Sequence, residues 1–131
     1  MKTKILYIAA MMLFMPFAFA FAQEEADEEK LFQESMEKEI SRLEQSLDLE
    51  DWQVFYVDSI LIHDTTAMRD ELKALRDAKV SNTNAYIQTQ DKWAEKMYQG
   101  YKKIFDEKQW EKYLKSGAAR AKKARDKRAG K

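Results

Sequence analysis

The chain of 131 residues has no cysteine, one proline, three glycines and a single histidine. Each scarcity removes a class of explanation. Without cysteine there is no disulfide, no thiolate metal site, no nucleophilic thiol and no lipidated N-terminal motif. The one histidine, His63, stands beside Asp64. The pair falls short of the three or four ligands that zinc takes, so His63 is read as a helix-surface or interface residue. With so little glycine there is no phosphate-cradling loop, and Ser35, Ser41, Ser46 and Ser59 have no base in a recognisable constellation. Carboxylate pairs such as Glu24/Glu28 or Asp70/Asp77 are unavoidable on solvated helix faces when 35% of residues are charged. The reading is a non-enzyme with no metal site and no cofactor.

Only the N-terminus carries a long apolar run. Met1 to Lys4 forms a basic start, and Ile5 to Phe19 is interrupted by Pro16 and shorter than the ~20 residues of a spanning helix. Small-x-small steps, Ala18-Phe19-Ala20 and Ala20-Phe21-Ala22, precede the acidic Gln23-Glu24-Glu25, which is the pattern of a cleaved secretory signal over residues 1–22. The expected product is exported, not lipidated and without stable membrane insertion. It begins at Gln23, or at Phe21 if the earlier step is used.

Removing residues 1–22 leaves one small domain's worth of chain. The equal totals of 23 basic and 23 acidic residues conceal an asymmetry. Residues 23–114 hold 13 basic and 22 acidic side chains, whereas 115–131 hold eight and one. An acidic body therefore precedes a basic tail. Polyanionic envelope material or an acidic client suits that tail better than nucleic acid, which an exported protein does not meet; a solubilising helix end matched to the dipole is equally open.

What remains is dense in helix formers and has almost no turn punctuation, so the expected fold class is all-α. A first helix, about 27–47, aligns Leu31/Phe32, Met36, Ile40, Leu43 and Leu47 in one stripe. A second begins with Asp48 or Glu50 as cap and runs to about Lys79. Its stripe of Val54, Val57, Leu61, Met68, Leu72 and Leu75 is widened by Trp52, Phe55, Ile60 and Ile62. Ser81-Asn82-Thr83-Asn84 marks a turn, either of a hairpin or of one bent helix. A third helix, about 84–104, places Ile87, Gln90, Ala94, Met97, Tyr101 and Ile104 at coiled-coil spacing, with Tyr86, Trp93, Tyr98 and Phe105 flanking. A fourth starts at Asp106 and keeps Trp110, Tyr113 and Leu114 for the core. The result is an extended four-helix, hairpin-type domain with a coiled-coil seam over 23–117. Residues 118–131, apolar only through alanine, read as a frayed basic helix or as disordered.

Two segments 56 positions apart repeat a helix-start module: Leu49-Glu50-Asp51-Trp52-Gln53 and Phe105-Asp106-Glu107-Lys108-Gln109. The first position packs back on the preceding helix, the second offers an oxygen to orphan N–H groups, and the Gln reaches back to close a capping box. Asp106 suits the acceptor role well and Glu50 less so. The pattern resembles the LTxxQ motif that occurs twice in the Spy/CpxP-like family of periplasmic proteins. IFDEKQWEKYLK is similar to that family's ILTxEQWxKY form, with Asp106 for Thr and Phe105 for Leu. The resemblance spans roughly 43–115 and makes Leu49, Gln53, Phe105, Asp106 and Gln109 the architectural residues.

Three Trp and five Tyr follow residue 22, more than thin helices enclose in one small core, so some apolar surface should face a partner. The partner expected first is a second copy, giving a homodimer, and then non-native clients. Contact candidates are Phe55, Ile62, Met68, Trp93, Met97 and Tyr101. The resemblance implies an antiparallel homodimer in the periplasm that binds unfolded envelope proteins without ATP under envelope stress. The competing expectation is an envelope interaction protein with one specific partner, such as a sensor-inhibitory adaptor or an assembly factor.

Overall fold

The computed structural model describes the backbone of residues 17–131 and the side chains from Glu25 onward. The expected signal segment and its cleavage step lie outside the described residues, apart from the backbone of the segment's last positions. Every described element is helical: α1 (Phe17–Leu47), α2 (Asp51–Asp77), α3 (Thr83–Ile104), α4 (Glu107–Tyr113), a wide π-type turn over Leu114–Ala118, and α5 (Ala119–Arg128). No described residue lies in a strand. The all-α class follows from composition, because nothing between Phe17 and Leu47 breaks a helix, α2, α3 and α4 start at the capping residues Glu50, Asn82 and Asp106, and the last break falls at Gly117.

The chain divides into two units, Met1–Glu37 and Lys38–Lys131. In the first, α1 is held by local bonds such as Gln33 Nε2 to Glu29 Oε1 at 3.0 Å, and Leu31 on its apolar stripe is 62% exposed. α1 starts ten residues earlier than the acidic cluster at Asp27 suggests.

In the second unit, helix ends are settled by local chemistry. α1 stops because Asp48 turns left-handed (φ 51°), which lets Leu49 N–H bond the Glu44 carbonyl at 3.1 Å and drops Leu49 into the core beside Leu43 and Leu47. α2 stops in the same way at Lys79 (φ 57°), with Val80 N–H bonded to the Leu75 carbonyl at 3.0 Å. Asn82 then caps α3 by accepting from Asn84 N–H at 3.0 Å. α3 packs back on α2, so the break at 78–82 makes a hairpin, not a bend.

The core contains Leu43, Leu47, Leu49, Val57, Tyr101 and Phe105, with Val54, Ile60, Met97, Ile104, Trp110 and Tyr113 closing around it. Leu43 and Val57 are fully enclosed. Where α3 meets α2, Gly100 faces Ile60, whose Cδ1 would sit 3.0 Å from any Cβ there. Met97, Tyr101 and Ile104 of the expected seam pack on the core, whereas Gln90 is exposed and Trp93, placed in the flank by spacing alone, is buried.

The tail also departs from expectation. Residues 119–128 form a helix, ordered by side chains 27 to 37 positions away: Lys122 bonds Glu95, Arg125 Nη2 reaches Glu95 at 3.1 Å, and Arg128 forks onto Asp91 at 2.7 and 2.8 Å. Gly117, at φ 116°, makes the break that lets α5 turn onto α3.

Candidate functional site: a glutamine clasp and an open aromatic face

The two helix-start modules meet. At the second, Asp106 Oδ1 accepts from Gln109 N–H at 2.8 Å while Gln109 Oε1 accepts from Asp106 N–H at 3.0 Å, a complete capping box. At the first, Gln53 Oε1 accepts from Glu50 N–H at 2.9 Å. The longer Glu50 side chain closes its half more loosely and gives Oε2 to the Trp52 indole N–H at 2.6 Å. The amide ends then bond each other: Gln53 Nε2 donates to Gln109 Oε1 at 2.6 Å, and Gln109 Nε2 returns to Gln53 Oε1 at 3.0 Å. Gln53 Nε2 also reaches the Ile104 carbonyl at 3.1 Å, at the end of α3.

Gln53 and Gln109 are both buried, and each is a hydrogen-bond donor and acceptor at once. A capping box needs only an acceptor, which Glu supplies equally well. A Glu pair here would oppose two carboxylates out of water, so the module's Gln is explained by the clasp rather than by the cap. Leu49 and Phe105, which open the two modules, share the core below it. Motif spacing alone indicated two boxes but not their joining; the spare donor of each amide was the available signal.

The contact candidates separate into two groups. Phe55 is 65% exposed and Ile62 38%. Met68 is half-buried, and so is Met97, which packs on the core and takes a contact from Thr65 Oγ1 at 3.8 Å. Trp93 and Tyr101 are buried within this chain, so they are not surface contacts: α3 turns both inward, Tyr101 stacking on Phe105 with centroids 5.5 Å apart. Burial raises the Tyr101 phenol well above its ordinary pKa.

The residues that replace them on the surface are Trp52 and Tyr56. Both are about half exposed, and together with Phe55 they form edge-to-face pairs, Trp52–Tyr56 at 6.3 Å and Phe55–Tyr56 at 5.5 Å. Trp52 belongs to the residues that widen the α2 stripe in the sequence; Tyr56, four positions after it, is not singled out by that stripe, and the spacing of three and four positions is the signal that joins the rings. The surrounding segment, from Asp48 to Asp64, carries five carboxylates and no Lys or Arg. From typical side-chain areas, the three rings leave roughly 300 Å² of apolar surface open. This is the size of a functional patch on a monomer, and well below the ~800 Å² per partner of a standard stable interface.

His63 is on the surface with Nδ1 2.8 Å from Asp64 Oδ1 and its ring edge-on to Trp93 at 6.3 Å. Among the described residues no three His, Cys, Asp or Glu side chains cluster as metal ligands, and no helix is long and apolar enough to cross a membrane. Comparison with protein-family models, curated proteins and solved structures gives no match.

Proposed function

We propose that the protein is an ATP-independent, chaperone-like binder of unfolded envelope proteins, working in the periplasm after signal cleavage. The observation that carries this reading is the open Trp52–Phe55–Tyr56 face with Ile62, on a stretch from Asp48 to Asp64 that carries carboxylates and no Lys or Arg. Such a face attracts segments that combine apolar side chains with Lys or Arg. Its area is too small to hold a folded partner by itself but sufficient for many weak, exchangeable contacts. The joined glutamines support the resemblance to the twice-repeated LTxxQ family, since they give that motif an architectural reason in this chain.

A homodimer belongs to the same proposal. The aromatic face alone falls short of a standard interface, so an antiparallel second copy would have to bury further surface beside it. The test is light scattering of several chemically unrelated unfolding clients with the mature chain in few-fold excess and no ATP. Wild type suppresses aggregation, less so at high salt, and Trp52→Ser with Phe55→Ser lowers the effect by about tenfold or less, because no single contact dominates. Unchanged aggregation of every client, with tight capture of one envelope protein, would replace this reading by that of a dedicated adaptor.

A further inference from the structure

α5 is a poorly filled occupant of the surface it covers. Its attachment to α3 is ionic: Glu95 takes Lys122 and Arg125, and Asp91 takes Arg128. The ring of Tyr98 lies beneath, 5.4 Å from Lys122 Nζ and 5.5 Å from the Arg125 guanidinium carbon, and backs edge-on onto Trp110 at 4.9 Å. Alanines are the only apolar side chains α5 brings.

Under Ala118 and Ala121 a cleft of about 200 Å³ remains, floored by Leu61, Met97, Tyr98 and Tyr101. The Tyr101 hydroxyl is buried with no hydrogen-bond partner, in the field of Tyr113 and Glu39, two further residues of the same lining. A helix docked on this floor with alanine thus leaves volume unfilled, which a longer apolar side chain would occupy. A second groove farther along α3 is lined by Ile87, Asp91 and Glu95 and by Arg125 and Arg128 of α5. At the other end Gly117, at φ 116° and with open space where a Cβ would stand, is the single backbone break between α4 and α5.

We propose that this face of α3 is a docking site for a cationic amphipathic helix of another polypeptide, with α5 as its resident stand-in. The partner carries Lys or Arg to meet Asp91 and Glu95, and a Leu-sized side chain where α5 has Ala121. Charge complementarity selects it, and the unfilled cleft gives it an advantage over α5. This site is made of other residues than the Trp52–Tyr56 face and does not depend on that face's role.

The probe is a fluorescent synthetic peptide with the sequence of residues 118–131 carrying Ala118→Leu and Ala121→Leu, titrated with the full chain by anisotropy. Arg125→Glu with Arg128→Glu, which sets α5 against Asp91 and Glu95, should bind the peptide at least tenfold tighter than wild type. Ala121→Leu, which lets the chain's own α5 fill the cleft, should bind it at least tenfold more weakly. Adding Glu95→Lys to the first variant should remove binding. Equal affinity for all four proteins, or no saturable binding to any, would overturn the proposal. So would release of α5 that produces dimers by light scattering, since the surface would then belong to a second copy of this chain.

Discussion

Replacing Gln109 by Glu isolates the clasp from the cap. The carboxylate keeps an oxygen for Asp106 N–H, bonded at 3.0 Å in the native chain, so the capping box survives. The Nε2 that donates to Gln53 Oε1 at 3.0 Å becomes a second oxygen, and the donor is lost. One buried hydrogen bond is worth about 1 kcal/mol net. The new carboxylate is also buried against the Gln53 Oε1 acceptor, which raises its folded pKa against the hydrogen bonds it keeps from Asp106 N–H and Gln53 Nε2; a net rise of about two units adds roughly 2.7 kcal/mol. The sum is about 3–4 kcal/mol at pH 7. For a domain of this size that lowers Tm by roughly 15 °C. A carboxyl raised in the folded state destabilises above its unfolded pKa of about 4.3, and the loss shrinks as pH falls through the folded value toward it. Urea unfolding followed by circular dichroism at pH 7 and pH 4.5 measures both effects. A loss under about 1 kcal/mol at pH 7, with no relative recovery at pH 4.5, would refute the reasoning. The cycle of Gln53→Ala and Gln109→Ala should show a coupling of about 1–3 kcal/mol, as expected of residues that share their bonds.

Lys79 ends α2 at φ 57° without the Asn or Asp chemistry that eases that conformation, so Lys79→Gly should stabilise by about 0.5–1 kcal/mol in thermal unfolding; a loss would contradict the C-cap assignment. Burial pushes Glu95 upward, but hydrogen bonds from Lys122, Gln99 and Arg125 outweigh it and hold the carboxyl at about 2, well below its ordinary 4.5. Asp91 is lowered too, chiefly by the hydrogen bond from Arg128. A depressed carboxyl stabilises above its unfolded pKa, so the docking of α5 should weaken as pH falls from 4.5 toward 2. Amide exchange should accelerate in 119–128 before the core of α2 and α3 opens; simultaneous opening would argue against an ion-held helix.

Local chemistry was legible in the sequence wherever the chain answers to its near neighbours. The break at Ser81–Asn84, the caps at Glu50 (with Asp48 as the alternative) and Asp106, the Gln-closed boxes and the stripes through Leu43 and Leu47 and through Val57 and Leu61 all depend on residues within a few positions. Long-range partners were not legible. The heptad reading of α3 put Gln90 in the seam and Trp93 beside it, because spacing alone does not reveal which side of α3 meets α2 over its N-terminal half, where Gln90 is exposed and Trp93 buried. The tail was read as frayed because alanine offers little to bury, yet Asp91 and Glu95, one turn apart on α3, match its cations across 27 to 37 positions. On α2, Phe55 and Ile62 were legible as contact candidates, but Trp52 was grouped with the core stripe and Tyr56 was not singled out, although Val54, Val57 and Leu61 on the opposite face already cover the core.

The most direct measurement is photo-crosslinking from position 55, with a benzophenone side chain in place of Phe55 and a control at the exposed Lys108. The account predicts that position 55 labels several unrelated unfolded clients, each displaced by excess unlabelled client and lost on their refolding, while position 108 labels none. Labelling of a single folded envelope protein, or equal labelling from both positions, would contradict it.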